Sequence, residues 1–276
     1  MGIFLSSSVK VALTPFVVTQ LIVYPVKSCR GIRVGKAELT LRGLRWDRRW
    51  MVVDRDRQFV TQRTAVELAR IDTHFDKETL LLAHEKFGTC EVPLELNEGK
   101  RVDVGVWDSR VQATVFSDAH EWISRVIGAD ADLVFMPADS IRPTNQKRSH
   151  PGDHVSFADG YPISICNEGS LADLNARLNA PVPMDRFRPN VIVRGPAAYE
   201  EDTWKEIRLG SVPLRVVKTA DRCMIVARDQ KSGELTKEPL RTLATYRKWD
   251  NTVWFGIAAI PDAEGTIAVG DQLIAT

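Results

Sequence analysis

The sequence predicts a mostly β protein with a few helices, an α+β chain built as two consecutive β-barrel-like units. Short runs of alternating or β-branched residues recur along both halves, punctuated by Gly, Asn and Asp. Stripes with a helical period are confined to a few places. A length of 276 residues leaves room for two ordinary domains, each with a core of its own.

In the first half, alternation or β-branched content marks strands over Val17–Tyr24, Lys36–Leu41, Trp50–Asp54, Thr79–Ala83, Cys90–Leu96, Arg101–Val104 and Val111–Phe116. One short helical stretch, Ala65–Arg70, interrupts them, and Asn97–Lys100 (NEGK) reads as a hairpin turn. The segment SDAHEWISRVIG then has the marks of a helix. Ser117 or Asp118 can cap it, Trp122, Ile123, Val126 and Ile127 share one face, and Gly128 stops it. Arg142–His154 is basic and rich in Pro and Gly, as a loop is.

In the second half, YPISICNEGSLADLNARLN gives a strand and a helix, with Asn167 or Ser170 as cap and Leu171, Leu174 and Leu178 as the apolar stripe. Strands follow over Asn190–Arg194, Trp204–Leu209, Pro213–Thr219, Met224–Arg228, Val253–Ile260 and Thr266–Ala268. A third helix, EPLRTLATYR, carries Pro239 near its first turn, where a missing N–H costs least.

Composition excludes several functions. Thirty-seven basic residues nearly cancel 36 acidic ones, so the chain has no overall charge to hold a nucleic acid polymer or an anionic membrane. The N-terminal MGIFLSSSVKVALTPFVV is broken by serines, Lys10 and Pro15, which suits a lead-in over residues 1–17 and not a membrane span. Four dispersed cysteines, 29, 90, 166 and 223, give neither a disulfide framework nor a zinc or iron–sulfur spacing. A reducing, cytoplasmic location is the expectation. Phosphate-loop, dinucleotide, nucleophile-elbow and HExxH motifs are absent, and Pro151 and Gly152 break any helix that could pair His150 with His154.

Local charge is more informative. Lys27, Arg30 and Arg33 follow an apolar strand beside Ser28; Arg45, Arg48 and Arg49 are interleaved with Trp46 and Trp50; Arg186 and Arg188 precede Asn190. Arginine forks and lysine point charges arriving from separate strand ends can converge on one anion. Any one cluster alone reads better as a solvated face or a salt bridge to one of the 36 acids. Cys223 closes a polar turn between two apolar runs, directly after Asp221 and Arg222. It reads either as a small core residue or as a thiolate favoured by a neighbouring cation such as Arg222.

Together the segments YPVKSCRGIRV, GLRWDRRWMVVD, FADGYPISICNEGSLADLN, FRPNVIV and DRCMIVARDQKSGELTKEPLRTLATYR resemble the MOSC proteins. These are relatives of the C-terminal domain of molybdenum cofactor sulfurases, here with an extra N-terminal β-barrel domain. Within them the chain is similar to the amidoxime-reducing branch, from about residue 18 to the C-terminus. The resemblance implies an N-terminal barrel domain over 18–120 and a MOSC domain over 121–276. It implies a molybdenum cofactor (Mo-molybdopterin), with Cys223 as the catalytic residue and molybdenum ligand. Lys27, Ser28, Arg48 and Arg188 fall on cofactor-contacting positions, with Asn190, Asp221 and Arg222 beside them. Gly160 and Tyr161 align with small hydroxyl residues and are expected to act through their backbone. Asp221 stands where relatives have a serine, and Ala258 where they have a polar or aromatic side chain. Cys90 and Cys166 are expected to be buried, and Cys29 to lie near the site.

The activity so implied is reduction of small N-hydroxylated compounds, such as amidoximes, hydroxylamines and N-hydroxylated bases, by oxygen transfer to the metal. The chain ends at Thr276 without a cysteine-rich ferredoxin-like tail. An external electron-transfer protein of cytochrome, flavoprotein or ferredoxin type is therefore the expected partner. The alternatives are a cofactor carrier or sulfurtransferase using Cys223 without reductase turnover, and a metal-free binding module.

Overall fold

The computed structural model describes residues 16–276. Residues 1–15, most of the expected lead-in, lie outside the described residues. The first half contains β1 (Phe16–Val23), β2 (Ile32–Val34), β3 (Lys36–Thr40), β4 (Gly43–Leu44) and β5 (Trp50–Asp54). It continues with β6 (Asp72–Asp76), β7 (Thr79–His84), β8 (Gly88–Pro93), β9 (Arg101–Val106), β10 (Ser109–Phe116), α1 (His120–Ile127) and β11 (Ala131–Phe135). The second half contains β12 (Ile163–Asn167), α2 (Glu168–Ala176), β13 (Val191–Arg194), β14 (Glu206–Leu209) and β15 (Val212–Arg222). It ends with α3 (Leu240–Leu243), β16 (Lys248–Trp249), β17 (Thr252–Pro261), β18 (Gly265–Ala268) and β19 (Gln272–Ala275).

Seven strands close into a barrel in the order β12-β13-β1-β19-β14-β15-β17, and β12 pairs with β17 to complete it. Inward residues of successive strands, among them Val18, Leu21, Ile165, Val193, Leu214, Ile257 and Leu273, fill its interior. Closure removes the free edges that an open sheet of this length would expose.

The other unit wraps the antiparallel sheets β5-β11-β10-β9 and β6-β7-β8 around two apolar clusters. β5 runs between them. Trp50 and Val52 join the cluster with Leu68, Leu80, Trp122 and Leu133, whereas Met51 and Val53 join the one with Val104, Val134 and Phe157. Alternation on one strand thus feeds both faces, which is why its sequence, WMVVD, is a near-continuous apolar run. Helix α1 lays Trp122, Ile123 and Val126 on this core and ends at Gly128, which adopts φ 75° as a left-handed cap.

Strand pairing crosses residue 120. β1 belongs to the seven-stranded barrel, and β11, beyond residue 120, pairs with β5 and β10. Several expectations are corrected. Met224–Arg228 is not a strand: Met224–Ala227 is a single 3₁₀ turn, in which only Val226 and Ala227 are buried. NEGK does not close a hairpin, because β8 pairs with β7 and β9 with β10; the chain crosses there between two sheets. Cys90 is half-buried, not buried. β6 and β11 were not foreseen, since DTHFD and ADLVF are short and carry charge. Among the described residues, no helix is long and apolar enough to cross a membrane.

Candidate functional site

Between the two units lies a cleft of about 730 Å³. Among the described residues, nine lysines and arginines line it against three aspartates, in a chain whose overall charge is +1. The positive charge that composition conceals is gathered in one place. Such a cleft concentrates anions.

The N-terminal wall is made of turns. Lys27 follows β1, its N–H bonded to the Trp50 carbonyl at 2.8 Å, and its buried ammonium donates to the Phe157 carbonyl at 2.7 Å and to Asp159. Burial lowers the Lys27 pKa, and Asp159 opposes that. The walls act to raise the Asp159 pKa, but the charge and hydrogen bond of Lys27, with Arg63 and Trp107 behind them, hold it well below the usual carboxylate range. Its side chain is 60 % exposed, so the charge is presented to the cleft. Ser28 and Arg48 have φ of 72° and 48°, left-handed conformations that are costly for side-chain-bearing residues.

Buried Asp47 offsets that cost. It accepts from the Tyr24 N–H at 2.8 Å, from Arg48 at 2.7 Å and from Asn190 at 2.9 Å. Burial raises its pKa, against the opposing charge of Arg48. The Arg48 and Arg188 guanidiniums each stand 4.3 Å from the Tyr24 ring centre. Such cation–π contacts hold like charges near one another in a partly dry site. Arg188, itself at φ 50°, also donates to the Cys29 carbonyl at 2.7 Å.

The barrel wall is made of strand ends. β15 pairs with β17 through two register shifts, Val216/Lys218 and Thr219/Asp221. Bulges of this kind re-aim side chains beside functional sites. Lys218 and Asp221 form an ion pair on the cleft side; burial acts to raise the Asp221 pKa, and Lys218 outweighs it. Cys223 follows in extended backbone and heads the 3₁₀ turn, with its thiol exposed. The Cys29 and Cys166 thiols, by contrast, are pushed up to about 12 by burial. Of the four cysteines, Cys223 alone is exposed.

All ten of the sequence-selected site residues line this cleft: Lys27, Ser28, Arg48, Gly160, Tyr161, Arg188, Asn190, Asp221, Arg222 and Cys223. Two of them are turned to other tasks. The Asn190 side chain is committed to Arg48, Asp47, the Ile22 carbonyl and the Ser164 N–H, so it positions Arg48 from behind. Arg222 donates to the Phe255 and Phe187 carbonyls at 2.8 and 3.0 Å and reaches Cys166 Sγ at 3.7 Å. It is therefore not the cation beside Cys223. That cation is Arg63, whose Nη2 stands 3.0 Å from Cys223 Sγ. Arg63 comes from the other wall, in the segment VTQRTA, where nothing in the local sequence marks it. Arg30, Arg33, Arg45 and Arg49, grouped with cleft residues by sequence, bond elsewhere, for instance to Asp72, Gln20, Glu38 and the Met136 carbonyl.

The residues fit an anionic, metal-bearing cofactor. Among the described residues, Arg186 Nε and Nη1, Arg142 Nε and Ser164 Oγ are buried without a hydrogen-bond partner, and all three residues line the cleft. Unmet buried donors are costly and suit a bound anion. Among the described residues, no group of three His, Cys, Asp or Glu could hold a metal. A lone exposed cysteine suits a metal that arrives with its other ligands on a cofactor.

Comparison with known proteins agrees with this chemistry. Residues 15–130 match the MOSC N-terminal beta barrel domain, and residues 152–274 match the MOSC domain. The chain is 34% identical over 278 residues to mitochondrial amidoxime-reducing component 1 of Xenopus laevis, covering 93% of this chain and 81% of that protein. It is 33% identical to the Homo sapiens protein of that name, with 93% and 82% covered. It is also 31% identical to the molybdenum cofactor sulfurase of Oryza sativa, covering 92% of this chain and 33% of that protein.

Proposed function

The chain belongs to the family that joins a MOSC N-terminal β-barrel domain to a MOSC domain, and from that premise we propose that it is a molybdenum-cofactor-dependent reductase of N-hydroxylated compounds. The observation that carries the reading is one exposed thiol, Cys223, at the edge of a cleft lined, among the described residues, by nine cations. Relatives named amidoxime-reducing components support it.

Cys223 would hold the molybdenum. Lys27, Ser28, Arg48 and Arg188 would meet the anionic pterin, with the free donors of Arg186 and Arg142 available to its phosphate. Gly160 and Tyr161 would contribute backbone, and Asp221 and Arg222 the strand end that aims Cys223. When bound, the cofactor supplies two-electron chemistry that removes the oxygen of an N–OH group. The chain's own part is to bind, orient and exclude water. Arg142 donates to the Ser156 and Ala158 carbonyls at 2.7 Å each, which fixes the segment that presents Asp159 and Gly160. Trp107 Nε1 donates to Asp159 at 3.2 Å. Asp159 is an acceptor here and not a proton donor, because Lys27 holds it ionised. Electrons would come from a separate redox protein.

The test is reconstitution of cofactor-loaded protein with an electron donor and benzamidoxime, beside molybdenum analysis of Cys223→Ala. The reading expects benzamidine from the wild type and at least about a tenfold loss of metal in the variant. A fully loaded wild type that makes no benzamidine sinks it. The relation to a molybdenum cofactor sulfurase favours a second reading, a carrier or sulfurtransferase role for Cys223. A persulfide on Cys223 in metal-free protein, read by mass spectrometry, would support that one.

A further inference from the structure

We propose that Arg63 is a positioning residue for the metal-binding sulfur: it fixes the Cys223 side chain and, through its charge, makes a metal held there easier to reduce. This rests on the reading of Cys223 as the molybdenum ligand.

Among the described residues, Arg63 is the one side chain whose polar atom reaches Cys223 Sγ, at 3.0 Å. It forms no ion pair with a carboxylate among those residues; its charge acts on Asp159 from beyond ion-pair range and on the sulfur at hydrogen-bond range. The Asp159 carboxylate is hydrogen-bonded by Lys27 and Trp107.

Arg63 is held in place before any ligand binds. The Thr61 carbonyl accepts from the Thr64 and Ala65 N–H groups at 3.0 and 2.9 Å, winding a tight turn around it. Next to it, Gln62 is fully buried and donates to the Ser28 carbonyl at 2.6 Å and to Gln230 Oε1 at 2.9 Å. Gln230 returns a bond to Gln62 Oε1 at 3.2 Å, and it lies seven residues after Cys223. The two glutamines therefore clasp the Arg63 turn to the segment that follows the thiol. Finally, the Arg63 guanidinium stands 4.9 Å from the Trp107 ring centre, which limits its swing.

A hydrogen bond from a cation to a metal-bound thiolate draws electron density from sulfur and stabilises the more reduced, more negative metal state. Arg63→Ala removes both bond and charge. Arg63→Lys keeps the charge but gives up the planar fork.

The experiment is an EPR-monitored redox titration of cofactor-loaded wild type, Arg63→Ala, Arg63→Lys and Cys223→Ala, with molybdenum content measured on each. Arg63→Ala is expected to keep its metal and to show about a tenfold lower reduced-to-oxidised ratio at a fixed poise, about 59 mV for a one-electron step. Arg63→Lys is expected to fall between it and the wild type. A wild-type potential and signal in loaded Arg63→Ala overturns the proposal. So does loss of metal from both Arg63 variants, which would make Arg63 a retention residue. Cys223→Ala with wild-type metal and signal overturns instead the ligand reading beneath it, so the two failures are distinct.

Discussion

The two walls of the cleft reach the same end by different physics. The barrel wall places Cys223 by backbone: a strand with two bulges, paired along its length, stops one residue before the thiol. The N-terminal wall places its cations by side chains, on turns where Ser28, Trp46 and Arg48 all have positive φ and a buried carboxylate ties the parts together. Pairing along a strand is regular and spreads strain over many bonds. A wall of turns depends on a few polar groups. The difference teaches where each wall is vulnerable.

The largest expected effect is therefore on the turn side. Asp47→Ala leaves Arg48 and Asn190 without their buried acceptor and should cost about 3–5 kcal/mol, the loss typical of breaking a buried charged pair. Urea unfolding measures it, and a loss below about 1 kcal/mol would show that the turns hold themselves. On the barrel side, Gly256 sits at φ 66°, and a Cβ there would lie 2.6 Å from the Ile165 carbonyl oxygen and 2.7 Å from Cys166 Sγ. Gly256→Ala should cost about 1–3 kcal/mol and disturb Arg222, whose Nη2 is 3.4 Å from the same point. If it proves as costly as Asp47→Ala, the contrast between the walls fails.

The smallest effect is a pH dependence at Asp159, which is bonded by Lys27 and Trp107. Its folded pKa is depressed, so its contribution is complete above the unfolded value of about 3.9 and is lost as pH falls below it. Between about pH 4 and pH 2 the wild type should lose Tm more steeply than Asp159→Asn. Parallel curves would remove Asp159 from the account.

The barrel strands were legible because burial on one face writes a period of two into the sequence, as Leu21, Val193 and Leu214 illustrate. The 3₁₀ turn after Cys223 was not, since MIVAR is apolar enough for a strand and only its pairing shows otherwise. The lining of the candidate site was legible where residues share a segment, as with Lys27 and Ser28 or Asp221 and Cys223. Adjacency in sequence is not contact. Arg222 directly precedes Cys223, but in extended backbone neighbours point to opposite faces, so its guanidinium goes to Phe255 and Phe187. Arg63 is 160 residues from Cys223, and only the fold brings them together.

β1 is held between β13 and β19, with Phe16 opposite Leu273. On a ribosome, the strand that emerges early must therefore wait for one of the last before the barrel can close. Such long-range pairing makes for slow folding and a long interval with an open edge. The short strand β2 pairs with β1 over Leu21–Val23 and is available almost at once. Part of that edge is thus covered while the rest of the chain is still being made.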